Sequence, residues 1–155
     1  MDIKAGRPYP SGALSNFAVH PFTFRGIAVT SMEGLLQAFK FKSPEMQVHI
    51  CTLAGRKAKM SGKAKTWYKT QTLWWQGKEL KRDSEEYQQM LDEAYECMFD
   101  QCEAARDALL ATQNAVLTHS IGKRKINETV LTEQEFCSRL TKNRARLNMQ
   151  TFFGE

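Results

Sequence analysis

The segment Ser31-Met32-Glu33-Gly34-Leu35-Leu36-Gln37-Ala38-Phe39-Lys40-Phe41 constrains this chain more than any other. Read as a helix of about 3.6 residues per turn, it places Glu33, Gln37 and Lys40 in one line. Met32, Leu35, Leu36 and Phe39 form an apolar arc beside that line, and Gly34, Ala38 and Phe41 fill the remaining side. The broad charged face of a solvated surface helix is missing, so the spacing predicts a largely buried helix. A carboxylate, an amide and an amine are costly to bury unless they are paired or face a wet cavity. The stripe therefore reads as one wall of a polar pocket. Lys40 follows Glu33 by seven residues, about 10 Å along the axis at about 1.5 Å per residue, too far for an i, i+4 ion pair. The two could instead hold opposite ends of one substrate. A partly desolvated lysine can lose its proton and attack a carbonyl, with a neighbouring carboxylate as general acid/base. A purely structural role for Glu33, stabilised by the helix dipole, stands beside this reading.

The flanking sequence surrounds this helix with short elements. Phe22-Thr23-Phe24 and Ile27-Ala28-Val29 read as a hairpin turning at Arg25-Gly26, and Ser31 is a natural N-cap. Ser43-Pro44-Glu45 opens a second helix with Met46, Ile50 and Leu53 as its apolar stripe, expected to stop near Gly55. A short helix is expected within the 56–69 segment, then a strand or loop from Thr72 to Trp75, broken by Gly77. Helices are expected over about 84–101 and 103–111, with Tyr87, Leu91, Ala94, Tyr95 and Met98 as core residues. Leu117 to Gly122 reads as a turn or strand end. Thr132-Glu133-Gln134-Glu135 is a capping box that opens a last helix anchored by Phe136 and Leu140. The sum is an α+β fold: a compact, α-rich single domain over residues 1–155 with a small sheet.

Composition narrows the function. No apolar run approaches the ~18 residues of a membrane helix, and the N-terminus has no signal-like apolar stretch, so a cytoplasmic protein is expected. Cys51, Cys97, Cys102 and Cys137 lack metal-ligand spacing, and His20, His49 and His119 are scattered, so neither a metal nor a cofactor is expected. His20 and His49 read as structural. Phosphate-binding Gly-rich loops, metalloprotease signatures and nucleophile elbows are all missing. The net charge of +5 is unevenly spread: Arg56, Lys57, Lys59, Lys63, Lys65 and Lys69 lie in a stretch without acids. That segment is either a solvated basic loop or a phosphate-binding rim able to contact DNA. Trp67 and Tyr68 within it favour the rim, because aromatics beside cations can stack a base and hold its phosphate. Thr118-His119-Ser120-Ile121-Gly122-Lys123 is a small polar loop suited to line a pocket, with His119 and Ser120 as candidate substrate contacts.

Leu14-Ser15-Asn16-Phe17, Pro21-Phe22, Gly26, Ser31-Met32-Glu33, Gln37-Ala38 and Lys40-Phe41 together resemble the NADAR, or YbiA-like, family, with its ordered pattern SNF, PF, G, (S/T)xE and QAxKF. The resemblance continues through Trp67 and Leu109-Leu110-Ala111-Thr112. It implies a compact α+β domain that hydrolyses N-glycosidic bonds to ribose. The substrate would be nucleotide-like: ADP-ribose attached to guanine in nucleic acid, or a phosphoribosylamino-pyrimidine intermediate of riboflavin synthesis. On this resemblance Glu33 matches the essential acid. Lys40 matches the lysine that forms a Schiff base with opened ribose in guanine-directed members. Asn16, Gln37 and Trp67 match substrate-binding positions. The chain departs from the pattern in two places. Gly34 and Leu35 replace the usual aromatic or His residues, implying a roomier pocket. The family's Asp-x-x-Trp-Gly element is absent, and His119-Ser120-Ile121-Gly122-Lys123 and then Thr129-Val130-Leu131-Thr132 stand in its place. That loss points away from the riboflavin-type substrate and leaves a non-catalytic ADP-ribose or NAD-derivative binding module as a further alternative.

Overall fold

A computed structural model describes residues 1–153. A short helix α1 (Ser11–Leu14) precedes the hairpin β1 (Phe22–Phe24) and β2 (Ile27–Val29), paired antiparallel with Phe22 opposite Val29. Arg25 and Gly26 both take positive φ at the turn, as a tight hairpin requires. Helix α2 (Met32–Ala38) follows, its first turn capped by the Ser31 hydroxyl accepting from Gly34 N–H. Then come α3 (Pro44–Ile50), α4 (Gly55–Ser61) and α5 (Trp67–Thr70). A second antiparallel hairpin, β3 (Thr72–Trp75) with β4 (Lys78–Lys81), leads into α6 (Glu85–Gln101), α7 (Glu103–Ala111) and α8 (Glu133–Phe153). The expected small sheet is thus two separate hairpins, and β4 was not foreseen. The fold is α+β, as the pattern of elements requires.

Two helix ends differ from the sequence reading. Helix α2 stops at Ala38, leaving Lys40 in the turn that follows, because Lys40 N–H and Phe41 N–H tighten onto the Gln37 and Ala38 carbonyls. Gln47 explains why this end is stable. Its fully buried amide donates to the carbonyls of Ala38, Phe41 and Trp74, satisfying groups a helix end leaves open. Helix α3 in turn ends at Ile50 and not near Gly55; Gly55, at φ +57°, opens α4. Its buried face is Gln47 and Ile50, whereas Met46 is exposed. Periodicity misassigned this face because a glutamine, holding three carbonyls, takes the inward position.

The core lies between α2, α6 and α8. Tyr87, Met90, Leu91, Ala94, Tyr95, Met98 and Phe99 line the buried side of α6, and Phe136 and Leu140 anchor α8. Phe39 packs edge-on against both Trp75 and Tyr87, at ring separations of 5.7 and 5.9 Å, tying the end of α2 to β3 and α6. The Thr132 capping box forms as expected: Thr132 N–H donates to the Glu135 carboxylate at 2.8 Å, and Glu135 N–H to the Thr132 hydroxyl at 3.1 Å. Among the described residues no helix is long and apolar enough to cross a membrane.

Candidate active site

One face of α2 and the turn after it open onto a cavity of about 370 Å³. Glu33, Gln37 and Lys40 all reach it, so the stripe read from the sequence shares one wall even though Lys40 has left the helix. Asn16, Phe17, Trp67, His119 and the 128–132 loop add to its lining. Asn16 is fixed from behind, its side-chain oxygen accepting from the buried Tyr95 hydroxyl at 2.8 Å. Its backbone carbonyl accepts Glu33 N–H at 3.0 Å, which joins the Ser15-Asn16-Phe17 turn to the start of α2.

The electrostatics of the pair follow from burial. Desolvation pushes the Glu33 carboxyl above its usual range, against the hydrogen bond from Gln37 and the positive charges of Lys40 and Lys59. Desolvation likewise holds the Lys40 amine below its usual value. Glu33 partly offsets this, and Lys123 and Lys59 reinforce it. Both groups are therefore drawn toward their neutral forms, which for Lys40 is the nucleophilic form. Gln37 donates from Nε2 to Glu33 at 3.2 Å. Its Oε1 is buried beside Gly62 without a hydrogen-bond partner among the described residues.

Gly62 sets the positions of both Gln37 and Lys40. A Cβ there would lie 2.0 Å from Gln37 Oε1 and 3.0 Å from Lys40 Cδ, at a backbone φ any residue accepts. Gly62→Ala should therefore leave the fold nearly intact, since the clash falls on flexible side-chain ends. It should displace the Gln37 amide from Glu33 and cut turnover by up to about tenfold, roughly the worth of one neutral hydrogen bond. A steady-state rate beside a thermal melt separates the two effects.

A second cavity, about 610 Å³, shares Phe17, Gln37, Lys40, Lys59, Trp67, Lys123 and Glu128 with the first. Arg56, Lys63 and Lys65 add to its positive lining, with Glu128 as its one acid. Lys65 is held over the Phe41 ring at 4.4 Å. Tyr68 is half exposed at its edge, whereas Trp67 is buried in the partition between the cavities. Lys57 and Lys69 of the same basic run do not line it.

Two expectations are corrected here. Ser120 does not line the cavity: its N–H and hydroxyl both donate to Asp2, which holds that carboxyl down at about 2. Gly34 and Leu35 do not widen the pocket either. Gly34 faces away, where a Cβ would meet Leu53 and Ile50 carbonyls at 2.7 and 2.9 Å, and Leu35 is in the core. Thr129-Val130-Leu131-Thr132, the second segment that replaces the family's Asp-x-x-Trp-Gly element, does line the cavity, joined by Glu128, which the sequence did not single out. Among the described residues there is no group of three or more His, Cys, Asp or Glu able to hold a metal ion.

The fold that carries this cavity is that of a YbiA-like domain. The NMR structure of the Escherichia coli protein YbiA matches it with a TM-score of 0.64, covering 98% of this chain and 88% of that one at 20% identity. The fold that the sequence resemblance to the NADAR, YbiA-like family implies is thereby found. The chain belongs to the family of bacteriophage protein GP30.3, whose model matches residues 8–145. It is also similar to an uncharacterized 17.1 kDa protein from the Gp30-rIII intergenic region of Enterobacteria phage T4. The two are 38% identical over 139 residues, 88% of this chain and 91% of that one.

Proposed function

We propose that the protein is an N-glycoside hydrolase that removes ADP-ribose from guanine in nucleic acid. The observation that carries the reading is the shared burial of Glu33 and Lys40 in one cavity, which favours the protonated acid and the neutral amine together. The YbiA-like fold supports a glycosidase at the family level. The adjoining basic cavity and its Trp67 partition support a large, phosphate-bearing substrate over a small one. The 56–69 segment would then meet the strand that carries the modified base.

In the proposed reaction Glu33 gives its proton to the ribose ring oxygen as the C1′–O4′ bond breaks, and the guanine nitrogen's electron pair forms a C=N bond to C1′. Neutral Lys40 Nζ adds to C1′. The guanine leaves on its nitrogen, taking up one of the amine protons, and the sugar stays on Lys40 as a protonated imine. Water then hydrolyses the imine and frees the sugar. Asn16 and Gln37 hold the ring hydroxyls and the Glu33 carboxyl in register, and Trp67 stacks the base.

Incubation with guanine-ADP-ribosylated DNA, followed by mass detection of free ADP-ribose, tests the substrate. Borohydride added during turnover should leave a sugar adduct on Lys40, and Lys40→Ala should leave none. Turnover without an adduct would remove the imine route. Release of base from a phosphoribosylamino-pyrimidine instead would change the substrate, and tight ADP-ribose binding with no hydrolysis of either would make the domain a binding module.

A further inference from the structure

His119 differs from the other two histidines in what its ring leaves open. His20 is buried with both nitrogens occupied: Nε2 lies 2.6 Å from the Ala13 carbonyl, and Nδ1 is 3.7 Å from Cys102 Sγ. His49 is exposed on α3. In His119, Nδ1 lies 2.6 Å from the Ile3 carbonyl oxygen. A carbonyl only accepts, so Nδ1 carries the hydrogen and the neutral ring keeps its lone pair on Nε2. Among the described residues no protein group engages Nε2, and His119 stands in the cavity wall with Glu33 and Lys40.

The ring is also clamped. It packs edge-on against Phe136 at 5.2 Å, and the His119 N–H donates to the Glu133 carboxylate at 3.2 Å. Gly122 closes the turn against it, where a Cβ would lie 2.6 Å from His119 Cδ2. A backbone carbonyl thus fixes the tautomer and two neighbours fix the plane, which is the support a general base needs. Glu33 feels the charge His119 would acquire, so the two sit within electrostatic reach.

We propose that His119 is the general base of the hydrolytic step, its Nε2 taking a proton from the water that attacks C1′ of the sugar on Lys40. The inference rests on the function proposed above, in which Lys40 carries that sugar as an imine. As the water oxygen bonds to C1′, the C=N π pair moves onto Nζ and one water proton passes to Nε2, giving a carbinolamine and an imidazolium. The imidazolium returns its proton to Nζ, and the C1′–Nζ bond breaks with its pair on nitrogen. The carbinolamine oxygen becomes the sugar carbonyl, and its proton passes through Nε2 to the lysine amine. Lys40 ends as the ammonium, His119 as the neutral ring and the sugar as the free aldehyde.

The variant that isolates this role is His119→Asn, whose amide N–H can keep the Ile3 carbonyl bond but offers no basic nitrogen. With guanine-ADP-ribosylated oligonucleotide in single turnover, guanine release and Lys40 loading should persist. Sugar release should fall by about 10²–10⁴-fold, the usual worth of a positioned base. The borohydride-trapped Lys40 adduct, measured by mass, should then accumulate above the wild-type level. Added imidazole should speed sugar release from His119→Ala, a rescue that a merely structural histidine would not show. Wild-type sugar release from a folded His119→Asn, or no adduct accumulation in it, overturns the inference while leaving the proposed function standing. If the wild-type protein releases no ADP-ribose at all, it is the function that fails, and the inference falls with it.

Discussion

Glu33→Gln should nearly abolish turnover and at the same time give a more stable protein. The activity loss follows from removing the proton that opens the sugar ring, an effect of about 10²–10⁴-fold for a positioned acid. The stability gain follows from burial. Glu33 is held above its unfolded value of 4.5, so the folded state binds its proton more tightly than the unfolded chain does. Stability is therefore complete below that unfolded value and is lost as pH rises through the raised folded one. An amide at position 33 carries no such cost. The melting temperature of Glu33→Gln should exceed that of the wild type at pH 8, each kcal/mol being about 2–4 °C in a chain of this size. The gap should close as pH falls below 4.5, where both side chains are neutral. Lys40 runs the other way: its folded value lies below 10.5, so stability is gained as pH rises through the folded value. Retained activity, or a lower melting temperature at pH 8, would remove Glu33 from the acid's role.

The pairing of lost function with gained stability is what separates a strained functional group from a structural one. Much of the site was legible because it depends on short-range chemistry. The Ser31 cap, the hairpin at Arg25-Gly26 and the Thr132 capping box are set by residues within three positions of one another, and all three form. The Glu33, Gln37 and Lys40 stripe was legible for the same reason. Its side chains share a wall even though α2 ends before Lys40, because the turn that replaces the last helical step keeps the same side inward. What could not be read depends on distant partners. Nothing local marks Gln47 as the residue that collects carbonyls from α2, its following turn and β3. Nothing local ties Ser120 to Asp2 and so takes it out of the cavity, or turns Gly34 toward Leu53. The basic run was seen as a rim, but its division by the buried Trp67 into a second cavity needed the fold.

Arg82 is the strongest case of a distant partner, and Arg82→Ala should cost about 3–5 kcal/mol. Its guanidinium is fully buried, paired in bidentate fashion with Glu135 at 2.6 and 3.1 Å, and stacked on Tyr87 at 5.0 Å. Burial alone would raise the Glu135 carboxyl, but Arg82, the Thr132 N–H and Gln88 hold it below its usual value. Removing the arginine strands that carboxylate and so costs more than the pair itself contributes. Because Glu135 is held low, the stability this pair adds is present above 4.5 and is lost as pH falls through the depressed folded value, so the penalty of Arg82→Ala should shrink in acid. The consequence reaches the cavity. Arg82 Nε donates to the Thr129 carbonyl at 2.7 Å, Tyr87 Oη to that of Val130 at 2.6 Å and Gln71 Nε2 to that of Asn127 at 3.0 Å. These donors hold the 127–130 loop, of which Glu128, Thr129 and Val130 line the cavity with Glu33 and Lys40. A double change, Arg82→Met with Glu135→Leu, replaces the ion pair by apolar bulk and should recover most of the stability. It should not recover activity, because Thr129 O and Thr132 N–H still lack their partners and the wall remains loose. Urea titrations and KM for the single and double variants separate the two effects. A double variant that regains both stability and KM would mean that packing, and not these hydrogen bonds, shapes the far wall.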